Sequence, residues 1–242
     1  MKLIKVDREN YSKLFTYWTE IGREIPYFFN VKVEDWTRCM FGDSLSGERI
    51  FKYIETFYVS DGGDIIGFIQ FGQPNFCWDT AGKKVTNIDT GVIRNIYFNK
   101  DRIDAGRFLI EKAQDYFSKH NFKKMHAFYH IMGMSCNANH GKLHEKKLYI
   151  ENLLIENDFE IEHENIYYTL DMRESYKDHT NNIEIKSEGI NQYNKQSFAL
   201  HCKGDEIGGA QVTYLDNSDI VYLNWIWIND DNKGLGIGSS FI

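Results

Sequence analysis

Proline is nearly missing from this 242-residue chain, which holds only Pro26 and Pro74. No segment therefore has the stiff polyproline composition of a rigid linker. Cysteine is scarce as well: Cys39, Cys77, Cys136 and Cys202 stand far apart, with no Cys-x-x-Cys pair. That pattern excludes a disulfide-stapled scaffold and fits free thiols in a reducing compartment. No apolar run approaches the ~20 residues that span a bilayer. Residues 1–6 lead straight into Asp7, Arg8 and Glu9, so no signal-peptide core is expected and a cytoplasmic location is. Positive charge is also in deficit, 28 Lys and Arg against 35 Asp and Glu, for a net charge of −7. The basic pairs Lys83–Lys84, Lys123–Lys124 and Lys146–Lys147 are short, so the concentrated basic face of a nucleic-acid binder is excluded. The sign suits a cationic amine.

Apolar residues make up 42% of the chain and aromatics 15%, which excludes a disordered chain and predicts a core rich in Phe, Tyr and Trp. Tyr11, Leu14, Phe15, Trp18 and Ile21 recur at helical spacing, with Asp7 available as a cap and Gly22 as a stop. A second short helix is expected over 33–41. The period then changes: 50–59 and 64–71 read as strands around Asp61-Gly62-Gly63, a hairpin signal. A strand over 91–98, a helix over 105–119, a strand over 125–132, a helix over 143–156 and two short strands at 159–161 and 166–170 complete this region. The order predicts an α/β (α+β) domain over 1–172, a mixed central sheet flanked by helices. Residues 173–182 are polar and aperiodic and read as a linker, and 183–242 holds four strand-like runs.

An internal repeat links the two halves. Asp64-Ile65-Ile66-Gly67-Phe68-Ile69-Gln70 matches Asp205-Glu206-Ile207-Gly208-Gly209-Ala210-Gln211 at Asp, Ile, Gly and Gln. Downstream, Ile96-Tyr97-Phe98-Asn99 parallels Ile226-Trp227-Ile228-Asn229. Two matches in the same order point to duplication.

The second copy ends in Lys233-Gly234-Leu235-Gly236-Ile237-Gly238-Ser239, a glycine loop leaving a hydrophobic strand and opening a helix-like run. Glycines let a backbone approach a ligand, and the amides of a helix start attract anions, so the arrangement proposes a pyrophosphate cradle. A Walker loop is excluded because Lys233 precedes the glycines; a dinucleotide fingerprint is excluded because Gly234-x-Gly236 is followed by Gly238 and then Ser239, where the third glycine should stand. The run instead resembles the acyl-CoA loop of the GNAT acetyltransferase superfamily, Gln/Arg-x-x-Gly-x-Gly/Ala, with Lys233 in the first position. The resemblance implies two tandem domains, the second incomplete at Ile242, and acetyl-CoA as acyl donor. It assigns the pyrophosphate to amides between Gly234 and Ser239 and the pantetheine arm to the backbone of Ile226, Trp227 and Ile228. In the first copy the loop reads Asn99-Lys100-Asp101-Arg102-Ile103-Asp104-Ala105-Gly106-Arg107; with Asp104 where Gly236 stands, that loop reads as degenerate.

The positions at which the family often places its base hold Tyr222 and Val92, and the tyrosine acid's position holds Leu154, so no acid–base pair is assigned. Cys136, His140 and His144 invite a zinc reading, but Gly141 breaks the helix it needs and a polar loop is the expectation. Trp225 and Trp227 are expected in a core. No Gly-x-Ser-x-Gly elbow supports a serine hydrolase. The expected function is direct transfer of an acetyl group to an amine of a small molecule or peptide. The alternative is a non-catalytic acyl-CoA-binding or protein-interaction member of the same fold. An open sheet edge in the second half would favour a homo-oligomer.

Overall fold

A computed structural model describes every residue except 26, 27, 29, 79–82, 87, 88, 130, 131, 138–142, 163, 165–170, 172–182, 216–218 and 239–242. The chain divides into two compact units, Met1–Ile161 and Glu162–Ile242. The expected linker at 173–182 and the strand at 166–170 lie outside the described residues.

The first unit runs β1 (Lys2–Lys5), α1 (Tyr11–Gly22), α2 (Val33–Met40), β2 (Phe51–Asp61), β3 (Asp64–Pro74), a small hairpin β4 (Cys77–Trp78) and β5 (Lys84–Val85), β6 (Thr90–Phe98), α3 (Ile103–Lys119), β7 (Lys124–Ala127) and α4 (Leu148–Ile155). Its main sheet has the order β1-β2-β3-β6-β7. All pairings are antiparallel except β6 with β7. The helical periodicity places α1 where expected, but Asp7 acts one turn earlier. Its carboxylate accepts from the Glu9 and Asn10 amides at 2.9 and 3.1 Å, ordering the turn that feeds the helix.

The two faces of the sheet are covered separately. Phe57, Ile69, Phe71, Ile93, Ile96 and Phe98 pack against Leu109, Ala113 and Phe117 of α3 and Ile150 and Leu153 of α4. On the other face Tyr58 and Phe68 meet Leu14, Tyr17 and Trp18 of α1 and Trp36, Cys39 and Met40 of α2. Burying each such side chain contributes roughly 1.5–3 kcal/mol, so both helix pairs are held by the period-2 alternation of the strands.

Four expectations are corrected. No element is expected before Asp7, yet β1 pairs with β2 from Lys2↔Ser60 to Lys5↔Phe57. The strand expected over 125–132 ends at Ala127, because Phe128 takes φ +53 and leaves the sheet. The helix expected over 143–156 begins as a 3-10 turn, Glu145–Lys147, before α4. Phe159 to Ile161 is not a strand.

The second unit is a four-stranded antiparallel sheet of order β11-β10-β9-β8, formed by β8 (Ile183–Ser187), β9 (Lys195–Cys202), β10 (Asp205–Tyr214) and β11 (Val221–Ile228). Its strands repeat β1, β2, β3 and β6 of the first unit; among the described residues the β4–β5 hairpin, α3, β7 and α4 have no counterpart. The β2–β3 hairpin turns through Gly62 and Gly63 at φ +60 and +102; the β9–β10 hairpin turns through Lys203 and Gly204 at +53 and +95. Gly67 faces Phe98 as Gly208 faces Ile228, and Gln70 faces Asn95 as Gln211 faces Trp225. Directly after each glutamine the register shifts, leaving one extra residue in the partner strand, Arg94 in β6 and Asn224 in β11. Beyond both strands an asparagine amide donates back across the sheet at 2.9 Å, Asn99 to the Ile66 carbonyl and Asn229 to the Ile207 carbonyl.

The helices that precede β2 are not repeated either. Where α1 and α2 separate β1 from β2, β8 and β9 are joined by a short loop over 188–194. Among the described residues, the sheet face that these helices cover in the first unit has no equivalent cover in the second. This corrects the expectation for Trp225 and Trp227, which are 43% and 41% exposed.

Candidate functional site

The site expected from the sequence is the end of β11 and the loop after it. β11 lies at one edge of its sheet. The Asn229 amide points to β10, where it meets Ile207, and backbone direction alternates along a strand. The peptide groups of Ile228 and Ile226 therefore face the edge, and that of Trp227 faces β10. The side chains of Ile226 and Ile228 are half-buried, which fixes the edge in place.

The chain then makes a 3-10 turn, Asp230–Asn232. The Asn232 side chain donates to Asn229 Oδ1 at 2.7 Å, and Lys233 Nζ reaches Asp230 Oδ1 at 2.5 Å. That lysine holds the Asp230 carboxyl below its usual range, first by the hydrogen bond and then by its charge. The pairing cancels one of the two negative charges that Asp230 and Asp231 bring to the loop. Gly234 and Gly236 follow with φ +77 and +78, the left-handed region that a side chain resists. A Cβ on either would touch nothing within 4 Å, so these glycines serve backbone direction and not packing. Among the described residues the amides of Gly234, Leu235 and Ile237 have no hydrogen-bond partner. Leu235 is 68% exposed, and Ile237 and Gly238 begin a helical turn. Ser239, the last residue assigned to the loop, lies outside the described residues.

The first unit has the same skeleton with its openings filled. β6 and β7 pair only from Thr90↔Lys124 to Ile93↔Ala127, so the C-terminal half of β6 has a free edge. There the Tyr149 hydroxyl of α4 donates to the Phe98 carbonyl at 2.9 Å, and its ring packs edge-on against Phe98 at 5.2 Å. Burial raises the Tyr149 hydroxyl to about 12, so it stays a donor. At the start of α3 the Asp104 carboxylate binds the guanidinium of Arg102 through two contacts of 3.1 Å, and Arg102 also meets Asp61 at 2.9 Å. Asp104 is held below the usual carboxylate range, chiefly by Arg102 and also by the Ala105 amide. A side-chain anion thus occupies the helix N-terminus. Gly106 has a packing reason, since a Cβ there would sit 2.6 Å from Leu153 Cδ2 and Phe98 Cε1.

The positions examined for acid–base chemistry remain without a carboxylate. Val92 is buried beside Phe51 and Met132, Leu154 lies in the core under α3 and α4, and Tyr222 pairs with Thr213. Of the residues that invited a zinc reading, His140 lies outside the described ones. Cys136 is buried against α2, and His144 accepts from the Lys146 amide at 3.1 Å.

The two bulge residues escaped the sequence reading. Arg94 is almost fully buried and donates to the carbonyls of Met132, Cys39 and Gly133 at 2.7, 2.6 and 2.9 Å. Asn224 instead bonds Thr213 at 2.8 Å and Gln211 at 3.3 Å. A polar residue inside an otherwise apolar strand, Asn224 alone in β11 and Arg94 with Asn95 in β6, was the available signal.

Among solved structures, a tandem GNAT protein from the clavulanic acid biosynthesis pathway, without acetyl-CoA, superposes with a TM-score of 0.55. Its identity is 7%, covering 99% of this chain and 82% of that one. An aminoglycoside acetyltransferase from an uncultured soil metagenomic sample, in complex with trehalose, matches 70% of this chain and 96% of its own at 12% identity and a TM-score of 0.44. An aminoglycoside N-acetyltransferase in complex with CoA matches 70% and 99% at 11% identity and 0.40. Neither a protein-family model nor a curated protein sequence matches this chain. The chain has the tandem GNAT fold.

Proposed function

We propose that this protein is an acetyl-CoA-dependent N-acyltransferase whose donor site lies in the second unit. The observation that carries the reading is the contrast between the copies. The edge of β11 at Ile226 and Ile228 runs into the amides of Gly234, Leu235 and Ile237, which have no partner among the described residues, while the equivalent edge and helix start in the first unit are filled by Tyr149 and by Asp104 with Arg102. The fit to the donor rests on chemistry: two glycines at positive φ bare the amides, and consecutive amides at a helix start suit a diphosphate. On this reading Gly234, Leu235, Gly236, Ile237, Gly238 and Ser239 hold the diphosphate, Lys233 flanks it, and the Ile226–Ile228 backbone (through Trp227) aligns the pantetheine arm. Bound there, the thioester supplies an activated acetyl group, and the acceptor is an amine of a small molecule or peptide, acylated by direct transfer.

The second reading, a non-catalytic acyl-CoA-binding or protein-interaction member of the fold, is favoured by one observation: Val92, Leu154 and Tyr222 stand where a base and an acid are wanted. Calorimetric titration with CoA and acetyl-CoA, then thiol release with a panel of amines, tests both. Binding with amine-dependent thiol release supports the transferase; binding without it supports the second reading. Absence of binding removes the transferase and the acyl-CoA-binding reading and leaves only protein interaction.

A further inference from the structure

Apart from the donor loop, the most unusual chemistry in the chain is a pair of buried thiols beside a buried cation. Cys39, on α2, is fully buried, and Cys136, on the 3-10 turn Ser135–Asn137 that follows β7, is 6% exposed; both belong to the cluster under α1 and α2. Cys136 directly follows Ser135, whose side chain touches Cys39, so the two thiols are neighbours in this cluster. Ser135 Oγ lies 3.3 Å from Cys39 Sγ and accepts from the Leu45 amide at 2.9 Å. Arg94 closes the group: its guanidinium sits 5.2 Å from the Phe51 ring centre and donates to three carbonyls, including that of Cys39. Among the described residues it meets no carboxylate in an ion pair. A cation enclosed this way calls for an anion nearby, and the two thiols are the groups whose charge bears on it.

We propose that Cys39 and Cys136 form an oxidation site, in which Cys39 is the thiolate that reacts with a small peroxide and Cys136 the thiol that resolves it to an intramolecular disulfide. The electrostatics agree. Cys39 is pulled down to about 6, first by the hydrogen bond from Cys136, against the opposing effect of burial, and further by Ser135 and Arg94. Cys136 is pushed up by burial and by its neighbour. One thiol is thus the nucleophile and the other the proton carrier.

The chemistry balances with hydrogen peroxide as the two-electron oxidant. The Cys39 sulfur attacks one peroxide oxygen and the O–O bond breaks; the hydroxide released takes up a proton to become water, leaving a sulfenic acid. The Cys136 sulfur then attacks the Cys39 sulfur, the S–S bond forms and the S–O bond breaks, and the departing hydroxide takes the Cys136 proton. Two thiols are oxidised and one peroxide is reduced to two waters. The new bond would tie α2 to the turn after β7.

The test is non-reducing peptide mapping of the full chain, alkylated after graded exposure to hydrogen peroxide. The expected product is a single cross-link joining the Cys39 and Cys136 peptides in the monomer, reversed by dithiothreitol, with Cys77 and Cys202 absent from every cross-link. In Cys136→Ser a dimedone adduct should accumulate at residue 39, and in Cys39→Ser no cross-link should form. A wild-type map with no 39–136 cross-link, or with cross-links through Cys77 or Cys202 instead, overturns the proposal. That wild-type map decides the question even if a variant fails to fold.

Discussion

Replacing Gly236 by alanine separates backbone direction from packing at the donor loop. An added Cβ meets nothing within 4 Å, so the substitution adds no clash. What it adds is the resistance of an L-residue to φ +78, about 1–2 kcal/mol. The free loop is exposed and escapes that strain by moving to negative φ. A donor that needs the left-handed geometry must then restore it on binding. With tenfold in affinity for every ~1.4 kcal/mol, the dissociation constant for CoA should rise about five- to thirtyfold. Gly238→Ala is the matched control. Its φ lies outside the left-handed region, and a Cβ would sit 3.7 Å from Ile228 Cγ1, an ordinary contact. That variant should fold like the wild type, so any loss of CoA affinity reports contact with the ligand. Calorimetric titration of both variants, with chemical denaturation as the folding check, measures the difference. If Gly236→Ala binds CoA as tightly as the wild type does, the loop amides do not hold the donor, and the site assignment fails.

Four further outcomes follow from the geometry. Titration of the full chain should give one CoA per chain; a stoichiometry of two would show that Tyr149 and Asp104 do not close the first unit. Gly72→Ala should destabilise the first unit by about 3 kcal/mol in urea denaturation, because its Cβ would lie 2.0 Å from the Tyr53 carbonyl oxygen and 2.8 Å from Ile54 Cα, both backbone. Arg94→Met should cost about 3 kcal/mol or more by the same measurement, since the carbonyls of Cys39, Met132 and Gly133 lose a buried donor. Thiolate absorbance in the ultraviolet should report Cys39 ionising near pH 6. A folded value below the unfolded 9.0 means that this ionisation favours the fold above pH 9 and that the benefit is lost as pH falls through about 6. A titration midpoint at the ordinary thiol value would refute it.

Much of the skeleton was legible because it is written in local signals. The Asp-Gly-Gly and Gly-Asp turns, the alternating strands and the repeated Asp-x-Ile-Gly all lie within a few residues of what they determine. Gly67 and Gly208 show why the repeat keeps its glycine: a Cβ would approach Phe98 Cβ to 2.8 Å in one copy and Ile228 Cδ1 to 2.6 Å in the other. What escaped depends on partners far away in the chain. β1 is four residues whose identity as a strand comes only from pairing with β2. The alternation of Trp225 and Trp227 marks one sheet face in any case; their exposure follows from helices not present between β8 and β9. The Tyr149–Phe98 contact, which decides whether the first copy has a free edge, joins residues 51 apart and leaves no local pattern.

The two copies differ in what a ligand would have to displace, and this explains why one of them should carry the donor. A diphosphate entering at the start of α3 meets the Asp104 carboxylate, whose two contacts with Arg102 would have to be surrendered. A pantetheine arm on β6 would have to break the Tyr149 bond to the Phe98 carbonyl, about 1 kcal/mol for a neutral pair, and displace a ring packed against Phe98. A carboxylate at a helix start is itself favourable, and its repulsion of an incoming anion adds to that. These contacts all act in the same direction, so the first copy should bind CoA more weakly than the second. In β11 and its loop no such contacts stand in the way among the described residues: Lys233 is bound to Asp230, within the turn, and the amides of Gly234, Leu235 and Ile237 need lose only water. The same strand and turn can therefore serve as a stable end to a sheet or as a binding edge, and the side chains around it decide which.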